Sequence, residues 1–143
     1  MHMIGLCSDH AGFKTKEFIK QLLDQKGLPY KDFGTYSEES CDYPDFAHLL
    51  GYALERGEVY PGIAVCGSGV GINIALNKHQ GVRAALCWMP EIARLSRAHN
   101  DANVLVIPGR FTNNKETTEI VEAFFNTAFE GGRHQKRVDK IPL

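Results

Sequence analysis

The amino-acid sequence predicts an α/β protein: a three-layer α/β/α sandwich around a Rossmann-like, five-stranded parallel sheet. Short apolar runs rich in β-branched residues alternate five times with longer segments of helical period, which is typical of strands joined by crossover helices. No Pro/Ser-rich linker or low-complexity stretch interrupts this alternation. The length of 143 residues, 43% of them hydrophobic, matches a single domain over residues 1–143.

Apolar periodicity defines the first two strand–helix pairs. A strand is predicted over residues 3–6 and a helix over about 12–26, in which apolar residues recur on one face. A second strand over 30–33 precedes a helix over about 45–56. A glycine follows each helix, as is common at helix ends.

The three later pairs follow the same pattern. Their strands are predicted at residues 62–65, 82–86 and 104–107. Their helices are predicted to run from within 69–71 to about 77, from 90 to 98 and from about 115 to 129. Pro90 suits a first helical turn. Gly131 and Gly132 end the last helix, and we expect a mobile basic tail from about residue 131.

Charge and hydropathy exclude several classes of function. The 16 lysines and arginines are balanced by 17 acidic residues, and the dense basic cluster is confined to residues 133–140. This is not the basic surplus of a nucleic-acid-binding protein. No apolar run approaches the ~20 residues that span a bilayer, and the N-terminus does not resemble a signal peptide. We expect a cytoplasmic protein without nucleic-acid or membrane partners.

The four cysteines are widely spaced, with no C-x-x-C pair. This spacing argues against both a disulfide framework and a structural zinc site. We therefore expect free thiols. Cys7, Cys41 and Cys87 are interpreted as packing residues, and Cys66 stands apart because of the segment that follows it.

The carboxyl ends of parallel strands meet at one edge of a sheet, and ligands of α/β proteins bind there. In this chain the rule brings together the segments that follow the five predicted strands. These are Ser8-Asp9-His10, Gly34, residues 66–71, Trp88-Met89 and Gly109-Arg110.

The segment Cys66-Gly67-Ser68-Gly69-Val70-Gly71 joins a buried strand to a helix. Its glycines allow close approach to a ligand, and the N–H groups of the helix start favour an anionic oxygen. The spacing excludes a dinucleotide fingerprint, whose third glycine would fall on Ile72, and a P-loop. We expect the helix start to lower the pKa of Cys66 and make it a base or nucleophile. The alternative is a tight turn with a merely buried cysteine.

Three other groups have both a functional and a structural interpretation. Asp9-His10 can orient a hydroxyl or bind an anion, or Asp9 can cap the following helix. His99-Asn100-Asp101 ends the fourth helix, where the helix dipole favours an imidazolium and a C-cap role competes. The arginines of the tail suit phosphate, whereas most charged tails are solvated ends. The tail can equally reach a neighbouring subunit.

Taken together, these motifs make the sequence similar to the ribose-5-phosphate isomerase B family, within a wider group that includes galactose-6-phosphate and allose-6-phosphate isomerases. The resemblance covers almost the whole chain. Its markers, in order, are residues 8–12, 42–45, 66–71, Asn77-Lys78, Arg83-Ala84, residues 99–103, 131–134 and Arg137-Val138.

The resemblance implies interconversion of ribose 5-phosphate and ribulose 5-phosphate through a cis-enediolate, without a metal or other cofactor. It implies that Cys66 is the base, and that Ser68 with the backbone of Gly67, Gly69, Val70 and Gly71 stabilises the enediolate. A glutamate base found in one branch of the family would fall on Ile72, which strengthens the assignment of Cys66.

The remaining roles also follow from the resemblance. His99 would open the furanose ring with Asp9, and Tyr43 and Asn100 would line the sugar. Phosphate would be bound by His10, Arg110, Arg133 and Arg137. Family members build each site from two chains of a homodimer, and some homodimers pair into tetramers. We therefore expect at least a homodimer here.

Several alternatives remain open at the level of sequence. Allose 6-phosphate, galactose 6-phosphate and a phosphorylated tetrose are alternative substrates, because the sequence does not measure the distance from C1 to the phosphate. A noncatalytic sugar-phosphate-binding module on the same fold is a further alternative. A phosphatase that forms a phosphocysteine is disfavoured, since residues 66–71 contain no arginine.

Overall fold

Five short strands form the centre of the protein in the computed structural model, which describes residues 2–143. The strands are β1 (Ile4–Ser8), β2 (Tyr30–Asp32), β3 (Gly62–Cys66), β4 (Ala84–Leu86) and β5 (Val104–Pro108). They lie in the order β2-β1-β3-β5-β4, and every neighbouring pair is parallel. Strands β1, β3 and β5 are buried throughout, as the inner strands of a sheet covered on both faces must be.

Six helices connect and follow these strands. They are α1 (Phe13–Gln25), α2 (Tyr43–Glu55), α3 (Val70–Leu76), α4 (Pro90–Asn100), α5 (Asn114–Phe125) and α6 (Arg133–Asp139). Helices α1, α4 and α5 cover one face of the sheet, where Ile19, Ala93 and Phe124 join the core. Helices α2 and α3 cover the other face through Leu50 and Ile72. The predicted three-layer sandwich with a five-stranded parallel sheet is therefore confirmed.

Element boundaries differ from the predictions mainly at the sheet edge and at the end of α5. Strand β4 is two residues shorter than the predicted 82–86, and just before it the Arg83 N–H donates to the side-chain oxygen of Asn103 at 2.7 Å. Helix α5 ends at Phe125 rather than 129. Beyond it the chain turns toward α4, where the Glu130 N–H donates to the Ala98 carbonyl at 3.0 Å.

The prediction of a mobile tail from residue 131 is wrong. Gly131 and Gly132 adopt positive φ values of 67° and 54° and turn the chain, and helix α6 follows directly. His134 and Val138 lie four residues apart on this helix and are both buried. This stripe attaches α6 to the rest of the molecule, so the basic residues are carried on a fixed element.

No helix within residues 2–143 is long and apolar enough to cross a membrane.

Candidate active site

The carboxyl edge of the sheet carries a cavity of about 460 Å³. The residues that line it come from the segments after β1, β3 and β5, with Tyr43 from the start of α2. They are Asp9, His10, Ala11, Tyr43, Cys66, Gly67, Ser68, Gly71, Arg110 and Phe111. Eight of the fourteen predicted site residues are among them, namely Asp9, His10, Tyr43, Cys66, Gly67, Ser68, Gly71 and Arg110. Three of the five predicted segments therefore meet at this cavity, whereas Gly34 and Trp88-Met89 do not line it.

Cys66 is the last residue of β3 and is only 5% exposed. Burial raises the pKa of its thiol, while the backbone N–H groups of Gly69, Gly71 and Ile72 lower it. Asp9 adds a further rise in the pKa. Burial outweighs the donors, so the expectation that the helix start gives Cys66 a lowered pKa is wrong in direction. The thiolate, once formed, is a stronger base than an ordinary cysteine.

The glycine loop, residues 66–71, depends on glycine at positions 69 and 71. Gly69 has φ of 77°, and a Cβ there would collide with the Leu86 side chain, so glycine is needed on both counts. The Tyr43 ring packs directly on Gly71, where an added Cβ would lie 2.6 Å from the ring carbon Cζ. Val70 is exposed, and its N–H donates to the Ser68 Oγ at 3.2 Å. Gly69 and Val70 thus shape the loop without lining the cavity.

Asp9 lies on the cavity wall and also bonds to the turn before α1, although the N-cap residue of that helix is Gly12 and not Asp9. One carboxylate oxygen accepts the Gly12 N–H at 3.0 Å, which stabilises the first turn before α1. The same side chain, 7% exposed, also lines the cavity. His10 follows on the cavity wall, and its Nδ1 accepts the backbone N–H of Cys41 at 3.2 Å.

Arg110 and Phe111 form the wall beyond β5. The Arg110 side chain crosses Gly67, where a Cβ would lie 3.3 Å from Nη1. Phe111 lines the same cavity and is 73% exposed. Sequence reasoning missed Phe111 and Ala11, and the adjacency of each to a selected residue, Arg110 and His10, is the signal that could have found them.

His99, Asn100, Arg133 and Arg137 do not line this cavity in the same chain. Helix α4 starts at the carboxyl edge and returns to the amino edge before β5 begins. Its 11 residues span about 16 Å, so His99 and Asn100 lie at the opposite edge of the sheet. The helix cap is Asp101, with φ of 48°, rather than His99.

A second cluster of ionisable residues surrounds His99. Its imidazole stacks on that of His134, with ring centroids 4.2 Å apart and planes 10° apart. Glu130 lies 3.4 Å from Nε2 of His134. Burial lowers the pKa of His134, with further contributions from His99 and Arg133. Arg133 and Arg137 are exposed one helical turn apart on α6, so both point from the same side of that helix.

The ligand atoms of His99, Glu130 and His134 lie within 4.8 Å of one another, close enough on distance alone for a metal ion. The two imidazole planes are nearly parallel and stacked. Because a histidine nitrogen binds a metal in the plane of its ring, these two rings do not direct their lone pairs at one point. Instead, the His134 ring supports the His99 imidazole by stacking on it, and Arg133 and Arg137 lie on the same helix as His134.

Comparisons with known proteins agree with this architecture. The family model described as Ribose/Galactose Isomerase matches residues 4–141. Ribose-5-phosphate isomerase B of Escherichia coli (strain K12) is 45% identical over 141 residues, covering 99% of this chain and 95% of that protein.

Solved structures give the same result. Ribose 5-phosphate isomerase of Thermotoga maritima has a TM-score of 0.96 and 48% identity, covering 99% of this chain and 97% of that one. Ribose-5-phosphate isomerase B from Mycoplasma genitalium with bound ribulose-5-phosphate has a TM-score of 0.91 and 42% identity, covering 98% of this chain and 95% of that one. The chain belongs to the ribose/galactose isomerase family, among the ribose-5-phosphate isomerase B proteins.

Proposed function

We propose that the protein is an aldose–ketose isomerase that interconverts ribose 5-phosphate and ribulose 5-phosphate. The observation that carries this proposal is the position of Cys66, a buried thiol beneath three backbone N–H groups in a cavity at the carboxyl edge of the sheet. A proton carrier next to fixed donors is what an enediolate intermediate requires. Relatives that carry the name ribose-5-phosphate isomerase B support the choice of sugar.

The proposed reaction is the one that the family resemblance implies, and this geometry supports it. In the open-chain aldose, the Cys66 thiolate takes the proton from C2, and the electron pair forms the C1–C2 double bond of a cis-enediolate. Ser68 and the N–H groups of residues 67–71 stabilise the oxygen that gains charge. The thiol then returns the proton to C1, and the proton of the C2 hydroxyl moves to the oxygen on C1, which leaves the ketose with a C2 carbonyl and a C1 hydroxyl. The thiol carries the proton and no redox change of the protein occurs.

Asp9 and His99 are assigned to opening the furanose ring, which must precede proton transfer. The Asp9 carboxylate would accept the proton of the anomeric hydroxyl while the His99 imidazole protonates the ring oxygen. Tyr43 and Asn100 would contact the sugar hydroxyls. His10, Arg110, Arg133 and Arg137 would bind the phosphate, for which guanidinium groups provide paired donors.

This assignment requires a second copy of the chain, and we propose a homodimer. Within one chain the two groups of residues lie at opposite edges of the sheet, so His99, Asn100, Arg133 and Arg137 would be supplied to the Cys66 cavity by the other copy. Four large apolar side chains on α3 and in the segment that follows β4 are between 43% and 57% exposed, namely Val70, Ile74, Trp88 and Met89. A second copy packed against them would cover this apolar surface.

The proposal also includes a metabolic pathway and a cellular compartment. Interconversion of pentose phosphates places it in the pentose phosphate pathway, and the composition of the chain fits the cytoplasm. No step of the proposed reaction uses a metal or an organic cofactor.

A deuterium-incorporation assay tests the function. Purified protein treated with a metal chelator is incubated in deuterated water with ribose 5-phosphate and, separately, with allose 6-phosphate and galactose 6-phosphate. We expect ketose formation from ribose 5-phosphate with deuterium at C1, because the thiol exchanges its proton with solvent. Faster reaction of a hexose phosphate would change the substrate, and binding without reaction would favour a noncatalytic module.

The Cys66→Ala variant tests whether Cys66 is the base. It removes the proton carrier but leaves the phosphate ligands, so we expect turnover to be lost while ribose 5-phosphate still binds. Cys87→Ala is the matched control, because this buried thiol lies in the core on the other face of the sheet. Near-normal turnover in Cys66→Ala would exclude Cys66 as the base.

A further inference from the structure

The contact between His10 and the loop before α2 determines which nitrogen of His10 carries a proton. The backbone N–H of Cys41 points at Nδ1 of His10, with a distance of 3.2 Å. The Cys41 thiol lies 3.8 Å from the same nitrogen. A backbone amide can only donate, so Nδ1 must accept, and the neutral ring carries its hydrogen on Nε2.

This tautomer matters for an anionic ligand. A phosphate monoester is largely dianionic at neutral pH, and its oxygens only accept hydrogen bonds. His10 lines the cavity, and within residues 2–143 its Nε2 makes no hydrogen bond. In the tautomer that the Cys41 amide favours, Nε2 offers an N–H. In the other tautomer, the same nitrogen would direct a lone pair at the phosphate.

The loop that supplies the amide is fixed at its beginning. The Thr35 N–H donates to the Ser8 carbonyl, and the Ser8 N–H donates to the Gly34 carbonyl, each at 2.8 Å. Lys16, only 1% exposed, places its Nζ 2.6 Å from both the Thr35 carbonyl and an Asp32 oxygen. A buried ammonium with these partners holds the start of the loop against β1.

The loop is also fixed at its end. Helix α2 begins at Tyr43, two residues after Cys41, and the Tyr43 ring packs on Gly71 of the glycine loop. Cys41 therefore lies between two anchored points, and its amide has a defined position relative to His10.

We propose that residue 41 is a positioning residue of the phosphate site: its backbone amide holds neutral His10 in the tautomer that presents Nε2–H to the phosphate of the substrate. The inference rests on the proposed function for the identity of the ligand, but the tautomer belongs to the protein alone. The amide acts whatever side chain residue 41 carries, so the effect depends on the backbone N–H and not on the thiol.

The tautomer is measured first, on the whole protein without substrate. Long-range ¹H–¹⁵N correlation spectra of protein labelled with ¹⁵N-histidine distinguish the two tautomers, and a His10→Gln variant assigns the signals. We expect Nε2–H at His10 in the wild type and in Cys41→Ala. A wild-type His10 with its hydrogen on Nδ1 would overturn the proposal, and so would a ring protonated on both nitrogens at neutral pH.

Two variants then separate the amide from the thiol. Cys41→Pro removes the N–H, and Cys41→Ala removes only the thiol. For ribose 5-phosphate we expect KM to rise about tenfold in Cys41→Pro with kcat nearly unchanged, the effect of losing one hydrogen bond to a charged group. Cys41→Ala should match the wild type. Equal KM in all three proteins, or an equal rise in both variants, would contradict the role of the amide.

The two proposals fail in different ways. If the wild type does not isomerise ribose 5-phosphate, the proposed function fails, and the spectra still decide the tautomer. If Cys41→Pro does not fold, the wild-type and Cys41→Ala spectra still decide it.

Discussion

Cys66 is almost fully buried, and it is also the residue that we propose carries the proton. It ends a strand whose every residue is buried, and the same burial raises the pKa of its thiol despite three nearby backbone donors. The donors stabilise negative charge on sulfur and, in the proposed reaction, on an adjacent substrate oxygen, and the exclusion of water strengthens both effects. The cost is that less of the thiol is ionised at neutral pH than for an ordinary cysteine.

This cost predicts the pH dependence of the reaction. A base must be deprotonated to act, and a raised pKa shifts its ionisation to higher pH. We therefore expect kcat/KM for ribose 5-phosphate to increase as the pH rises from neutral into the alkaline range. The measurement is a pH–rate profile on protein shown by circular dichroism to stay folded. A profile that falls steadily over this range would contradict Cys66 as the base that must ionise.

Strands and helices could be predicted from the sequence where several residues in succession follow one hydrophobic pattern. The inner strands consist of continuous apolar residues, and the helices that cover them have a repeated apolar face, so each could be recognised locally. Helix α6 could not, because only His134 and Val138 contact the core within its seven residues. A glycine pair followed by basic residues has the composition of a loose tail, and only the tertiary contact with α4 shows otherwise.

The start of helix α5 allows a direct test of an element that does not line the cavity. Its start is a complete capping box: the Asn113 side chain accepts the Glu116 N–H at 2.8 Å, and the Glu116 carboxylate accepts the Asn113 N–H at 2.9 Å. We expect Asn113→Ala to lower the free energy of unfolding by about 1 kcal/mol. Denaturant unfolding measures this change.

The kinetic readout is the control for that variant. Isomerisation by Asn113→Ala should match the wild type at a temperature where both are folded, because the capping box does not line the cavity. An unchanged free energy of unfolding would show that the cap contributes little in this context.

At the scale of the whole molecule, the topology is the reason for the proposed division of the site between two chains. Sequence rules place the ends of the strands at one edge, and the cavity forms there. The same rules could have placed His99 at the other edge, because it ends a helix that starts at the carboxyl edge. The strand order β2-β1-β3-β5-β4 was not predictable in the same way, since it depends on how the helices pack across both faces.

The raised pKa of Cys66 also depends on the packing of the whole molecule. The glycine loop is visible in the sequence, and so is the helix start that it forms. How completely the surrounding helices bury the thiol depends on the packing of α2 and α3 against the sheet. The local motif predicted N–H donors at the helix start beside Cys66, and the tertiary structure decided which effect on the pKa of the thiol is larger.

A site shared between two chains makes a quantitative prediction for mixed dimers. Cys66→Ala damages only the cavity of its own chain, and His99→Ala damages only the group lent to the other chain. In a mixed dimer one site then carries both changes and the other carries neither. Random reassociation of the two inactive variants yields mixed dimers as half of the population, so about a quarter of wild-type activity should return.

Subunit mixing therefore tests directly whether each site is built from two chains. The two variants carry different affinity tags, are dissociated and reassociated together, and are assayed with ribose 5-phosphate after mixed dimers are confirmed by tandem purification. We expect each variant alone to be inactive and purified mixed dimers to recover about half of the wild-type activity per dimer. Mixed dimers as inactive as their parents would contradict a site built from Cys66 of one chain and His99 of the other.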